Sequence, residues 1–249
     1  MLLRTLIKEK EDMGNKSNFV KRVITALILL PVVLFVNYAG DVIFDLFLFI
    51  ILGLSIFEVV NIVSKAKQMP IYKKLLWIIS MSIYIICSIS CLKHIRSNFL
   101  GDACIILLLS WIWMFDLAAY ITGSLVKGPK LCPAISPKKT WSGLIGGICA
   151  TFVLSLLEAK LFLQLPSLSE AEFVKVSSPP HFVVVWISLG VLVGFVGQVG
   201  DILESYFKRK FDVKDSGNIL PGHGGILDRL DSVFLGAIFF YLIISFGIK

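Results

Sequence analysis

The stretch from Gln198 to Asp231 holds the residues best suited to chemistry. It carries acids at Asp201, Glu204, Asp228 and Asp231, and cations at Lys208, Arg209, Lys214 and Arg229. If residues 199–210 are helical, Asp201, Ser205 and Lys208 share one face at i, i+4 and i+7, with Glu204 beside them. If 227–240 begin another helix, Asp228 and Asp231 share a face at i, i+3. The loop between carries Gly217, Pro221, Gly222, Gly224 and Gly225, which lets the chain turn sharply and bring backbone close to a ligand. Converging carboxylates suit Mg²⁺, a hard cation that takes oxygen ligands and often keeps phosphate oxygens in its shell. The neighbouring Lys and Arg side chains suit the phosphates. His223, between two glycines, is a weaker candidate for a metal or phosphate contact. A second polar stretch offers Ser136, Lys138, Lys139 and Thr140 as a phosphate-contacting set. There is no Gly-Lys-Ser/Thr loop for P-loop hydrolysis.

The elements that must position these groups are set by an unusual composition. The chain has 249 residues, 57% of them hydrophobic and 16% charged, where soluble domains are nearer half apolar and a quarter charged. Mean hydropathy is +0.86. The apolar residues form runs long enough to cross a bilayer, so the expected fold is an all-α polytopic integral membrane protein with about seven spans. They fall near 20–38, 42–63, 75–92, 101–126, 141–165, 181–206 and 230–248, and a break in 101–126 would add to the count. Residues 1–18 read as a polar tail and 19–249 as one membrane domain. No small-x-small cleavage site follows the first apolar run, so it is expected to be retained.

Of the 24 Lys and Arg residues, all but Lys93, Arg96, Lys160, Lys175 and Lys249 fall on one side of these spans. The positive-inside rule makes that side, with the N-terminus and both polar stretches, cytoplasmic. The same rule accounts for the net charge of +7 without nucleic acid. It does not account for acids at the ends of apolar runs, since a carboxylate costs about 2.5–3.5 kcal/mol at mid-bilayer and less near the interface. Asp116, well inside an apolar segment, is a functional candidate on the same ground. Asp45 and Glu58, in the second span without charged company, read as structural or interfacial. The five cysteines lack CxxC spacing and indicate neither a disulfide framework nor a zinc site. A channel or transporter would spread charge at mid-depth through several helices, whereas here it gathers at one face.

From Ser205 to Asp231 the sequence resembles the signature of the phosphatidate cytidylyltransferases (CDP-diacylglycerol synthases). The matching positions are Ser205, Phe207, Lys208, Arg209, Lys214, Asp215, Gly217, Leu220, Pro221, His223, Gly224, Gly225, Asp228, Arg229, Leu230 and Asp231. The likeness extends upstream to Gln198, Gly200, Asp201 and Glu204, to Ser136 through Trp141, and to Asp116 through Tyr120. It departs at Ser142, where the family usually has Glu, and at Ala118, where it often has Gly. The N-terminal half resembles the family only in hydrophobic pattern, and it looks shorter.

The resemblance implies transfer of CMP from CTP to phosphatidate, giving CDP-diacylglycerol and pyrophosphate, with Mg²⁺ as cofactor and a place left open for a monovalent cation such as K⁺. It implies Asp201, Asp228 and Asp231 as metal ligands, supported by Asp116 or Glu204. Lys208, Arg209, Lys214 and Arg229 would grip phosphates, and Ser136, Lys138, Lys139, Ser205 and His223 would complete the polar site. The lipid acceptor could instead be an isoprenoid phosphate or a polyprenol. The expected setting is a multi-pass protein of the inner or plasma membrane with its site facing the cytoplasm. Nucleic acid is not an expected partner, and a homodimer is left open.

Overall fold

The computed structural model describes residues 30–97, 101–164, 179–219 and 224–247. Among them are six helices long and apolar enough to cross a membrane: α1 (Asp41–Ser64), α2 (Ile71–Ser97), α3 (Asp102–Leu125), α4 (Trp141–Gln164), α5 (Pro179–Lys210) and α6 (Leu227–Gly247). The protein is thus an all-α polytopic membrane protein. Of the first expected span, residues 30–38 are described and helical, and the rest lie outside the described residues. The expected polar tail 1–18 lies there too. The long segment near 101–126 is one unbroken helix.

Helices prevail because a bilayer core offers no water to backbone amides, so each segment must satisfy its own N–H and C=O groups. At 1.5 Å per residue, the 24 residues of α3 reach about 36 Å, enough for a hydrocarbon layer of about 30 Å. The 32 residues of α5 reach about 48 Å, so its last turns stand beyond that layer. Those turns carry Asp201, Glu204, Ser205 and Lys208. Exposed side chains such as Val42, Phe49, Leu76, Leu125 and Phe246 give the outer surface its apolar character.

α5 is the central post, packed against α3, α4 and α6. Glycines allow the approach. The Phe115 ring is wholly buried, and a Cβ at Gly147 of α4 or Gly194 of α5 would stand 2.8 Å from it. Seating Phe115 between these helices fixes the rotation of α3 at the next residue, Asp116. A Cβ at Gly200 would lie 2.5 Å from the Asp231 carbonyl oxygen, so α5 and α6 touch backbone to side where Asp201 and Asp231 branch off.

At the other end of the bundle, buried Arg96 of α2 pairs with Asp102 at 2.9 Å and Asp41 at 3.4 Å. It also donates to the Gly40 carbonyl at 3.2 Å. This cation closes the end of the bundle remote from the site.

One element was not expected from sequence. The polar stretch after α3 is an antiparallel hairpin, β1 (Lys130–Cys132) and β2 (Ser136–Thr140), with Lys130 opposite Thr140 and Cys132 opposite Ser136. Thr140 then caps α4, its Oγ1 accepting the Gly143 N–H at 3.1 Å.

Candidate active site

A cavity of about 1000 Å³ opens at the end of the bundle where α3, α5 and α6 meet the hairpin. Its lining draws Asp116, Ala119, Tyr120 and Gly123 from α3, Lys127 from the turn beyond, and Lys130, Ser136, Lys138, Lys139 and Thr140 from the hairpin. α5 supplies Gln198, Asp201 and Lys208, the following loop Asp215, and α6 supplies Asp228, Arg229, Asp231 and Ser232. Six cationic side chains and five carboxylates therefore face one space. The two stretches singled out in the sequence, far apart along the chain, form opposite walls.

The expected site residues divide into three groups. Asp116, Asp201, Asp228, Asp231, Lys208, Arg229, Ser136, Lys138 and Lys139 line the cavity. Ser205, Arg209 and Lys214 are not among the lining residues. Ser205 sits one turn beyond Asp201 and its hydroxyl donates to Asp201 Oδ1 at 3.2 Å, orienting that carboxylate. Arg209 donates Nη1 to the Val213 carbonyl at 2.9 Å and Nε to the Ile135 carbonyl at 3.4 Å, tying the tip of the hairpin to the end of α5. Lys214 is exposed. His223 lies outside the described residues.

Within the cavity, charges are already matched. Lys139 pairs with Asp201 at 2.8 Å and donates to the Gln198 carbonyl at 3.2 Å, so the hairpin is clasped to α5. Lys208 stands between Glu204, at 2.6 Å, and Asp228, at 2.5 Å. All three are buried, with side-chain exposures of 9% for Lys208, 4% for Glu204 and 7% for Asp228. Asp116 Oδ2 accepts the Ser232 hydroxyl at 3.1 Å, and Asp231 Oδ1 accepts the Ser232 amide at 2.8 Å, so Ser232 links the two acids.

This arrangement bears on the expected metal ligands. Asp116, Asp201 and Asp231 keep oxygen atoms toward a common cavity, a donor set that fits a hard dication. Among the described residues no three acids converge tightly enough to hold an ion by themselves. Phosphate oxygens or water would therefore complete the shell, as is usual for Mg²⁺. Both oxygens of Asp201 are also engaged, Oδ1 by Ser205 and Oδ2 by Lys139, but more donors converge on Asp228. Oδ1 meets Lys208, and Oδ2 accepts the Ser216 amide at 2.8 Å and the Gly225 amide at 2.9 Å, with the Ser216 hydroxyl 3.0 Å away. In this structure it holds the Lys208 ammonium and the loop.

Two residues named in the sequence have partners that it did not reveal. Glu58, expected to lack company, is 2% exposed and fully engaged by the loop and α6. Its carboxylate accepts the Ser216 hydroxyl at 2.7 Å and the amides of Ile226 and Leu227 at 2.9 and 3.0 Å. Its one legible signal was the cost of an acid inside an apolar run. Ser142, which stands where the resemblance leads one to expect Glu, donates to the Lys127 carbonyl and lies 3.0 Å from Thr140 Oγ1. It closes the base of the hairpin together with the Trp141 amide, which donates to the Pro129 carbonyl at 3.1 Å.

Comparison with known proteins agrees with this geometry. Residues 65–246 match the profile of the Cytidylyltransferase family. A protein named phosphatidate cytidylyltransferase in Rickettsia bellii is 34% identical over 232 residues, covering 93% of this chain and 91% of the relative. A protein of the same name in Brucella suis is 33% identical, over 91% of this chain and 93% of its own length. Another, in Rickettsia prowazekii, is 33% identical over 95% and 96%. With its motifs gathered around one cavity and its relatives matched end to end, the chain belongs to the cytidylyltransferase family.

Proposed function

We propose that the protein transfers CMP from CTP to phosphatidate, forming CDP-diacylglycerol and releasing pyrophosphate. The observation that carries this reading is the single cavity in which Lys139 and Lys208 face Asp116, Asp201 and Asp231 at the end of a membrane bundle. Cations suit a triphosphate and a phosphomonoester, and the carboxylates suit the dication that accompanies a nucleotide. The names of the relatives supply the lipid.

The chemistry asks little of a general base. The phosphate monoester of phosphatidate, with a second pKa of about 6, is already an anion near neutral pH. One of its oxygens attacks the α-phosphorus of CTP, a new P–O bond forms, and the bond to the β-phosphate breaks, with pyrophosphate taking the electron pair. What remains is to align the two phosphates and neutralise them. Lys139, Lys138 and Ser136 on the hairpin, and Lys208 and Arg229 on α5 and α6, would hold phosphate oxygens from opposite walls. Asp116, Asp201 and Asp231 would hold Mg²⁺, which when bound supplies charge neutralisation of the phosphates. Asp228 and Ser205 would keep Lys208 and Asp201 in position. The basic ends of the helices favour a cytoplasmic site, where the nucleotide is found.

The test is purified protein with radiolabelled CTP and phosphatidate, with and without Mg²⁺, scored for cytidine label in the lipid phase, beside a panel including an isoprenoid phosphate. The expected result is label in lipid with phosphatidate and Mg²⁺ only. No label under any metal condition overturns the reaction, and preference for the isoprenoid phosphate overturns the lipid. Asp201→Asn is expected to lose activity by about a hundredfold or more, the scale of a lost electrostatic contact at a reacting phosphate. Near-normal activity in Asp201→Asn would remove Asp201 from the metal set.

A further inference from the structure

Glu58 lies in the N-terminal half, outside both chemical stretches, yet it is buried and holds three donors. Three donors converge on it: the Ser216 hydroxyl at 2.7 Å, and the amides of Ile226 at 2.9 Å and Leu227 at 3.0 Å. The two amides stand at the start of α6, Ile226 just before it and Leu227 as its first residue, where N–H groups lack partners within the helix. An anion there also meets the positive end of the helix dipole. The space around the carboxylate is cut to fit. A Cβ at Gly225 would lie 2.3 Å from both Glu58 oxygens, and one at Gly217 would lie 2.8 Å from Oε1.

The engagement does not stop at the loop. The Ser216 hydroxyl is within 2.7 Å of Glu58 and 3.0 Å of Asp228 Oδ2, so its one proton serves two carboxylates. The Ser216 amide also donates to Asp228, and Asp228 holds the Lys208 ammonium. A continuous chain therefore runs from α1 through the loop to α6 and on to a cation in the cavity wall on α5.

We infer that Glu58 is a positioning residue of the transfer reaction: it holds Ser216 and the start of α6 to α1, and through Asp228 sets where the Lys208 ammonium meets phosphate. The inference rests on the function proposed above for this cavity. Glu58 is not among the residues that line the cavity. A residue of this kind changes rate through geometry, and displacing a contacting group by about 1 Å is enough for roughly a hundredfold.

The experiment uses full-length protein in detergent, with Glu58→Gln, Ser216→Ala and Lys208→Gln singly and in pairs, and Asp45→Asn as a control at a half-exposed ion pair with Lys93, at the end of the bundle remote from the cavity. Glu58→Gln is expected to lower kcat per folded molecule by about tenfold to a hundredfold. In the Lys208→Gln background the same change is expected to cost less than about threefold, because residues acting as a unit are not additive. Hydrogen exchange supplies a readout free of substrate: the amides of Ile226 and Leu227 should be protected in the unaltered protein and exchange faster in Glu58→Gln, with α3 and α4 unchanged. If Glu58→Gln fails to fold, Ser216→Ala carries the same cycle with a smaller loss. Equal losses with and without Lys208, or a kcat that merely follows the folded fraction, overturn the inference. Unaltered protein that turns over no phosphatidate overturns the proposed function instead, and amides as protected in Glu58→Gln as without the change then overturn the anchoring on its own.

Discussion

Lys208 alone serves two buried carboxylates, Glu204 and Asp228, so with both ionised the set of three keeps one net negative charge. Glu204 Oε1 has no hydrogen-bond partner among the described residues, so it depends on that ammonium. Removing one member of a buried ion pair leaves an uncompensated charge, at about 3–5 kcal/mol. Lys208→Met is therefore expected to lower the thermal midpoint sharply and to leave only a small residual activity. Adding Glu204→Gln should recover part of the midpoint and none of the activity, measured by thermal unfolding in detergent beside the radiometric assay. A double variant no more stable than Lys208→Met would deny that the lost stability is unpaired charge. Asp116, Asp201 and Asp231 could be singled out in sequence because acids in or at the ends of apolar runs need a reason, and Lys208 because it shares a helix face with Asp201. Glu58 had the same signal but no visible partner, since Ser216 and Leu227 are 158 and 169 positions away. A contact that exists only after three helices have packed leaves no trace in local spacing.

The catalytic walls are held together by close approaches between helices and by one short hairpin. At Gly200 the α5–α6 distance leaves no room for a methyl group, while Gly53 of α1 has nothing within 4 Å of where its Cβ would stand. Gly200→Ala is expected to cost about 1–3 kcal/mol by overpacking and to reduce activity by moving Asp231 away from Asp201. Gly53→Ala should leave both stability and activity unchanged or slightly raise stability, since alanine is the better helix former. Equal thermal midpoints for the two variants would contradict the packing. Lys139→Ala should loosen the clasp between hairpin and α5 and raise the KM for CTP more than it lowers kcat, because both phosphate contact and hairpin placement are lost. The six helices could be read in advance because apolar runs of that length have few other fates. The hairpin could not, because strands of three and five residues in a polar stretch carry no alternation of apolar and polar side chains.

For the molecule as a whole, the distribution of Lys and Arg ties the site to one face. The ends of α1, α3 and α5 and the starts of α2, α4 and α6 lie at the cavity end, and together with the segments that join them they carry 13 of the 24 Lys and Arg residues. In a background with the five cysteines replaced by serine, a cysteine at Lys67 or Lys214 is expected to resist a membrane-impermeant thiol reagent applied to intact cells. A cysteine at Lys249 should react. The reverse pattern would invert the orientation. The overhang of α5 has a last consequence for how the reaction is supplied. Because Asp201 and Lys208 ride on turns that emerge from the hydrocarbon layer, a lipid phosphate can reach them while its acyl chains stay in the leaflet. Lipid encounter is then a search in two dimensions. Turnover should follow the mole fraction of phosphatidate in the surface and not its molarity in the tube, so adding neutral carrier lipid at constant total phosphatidate should slow the reaction.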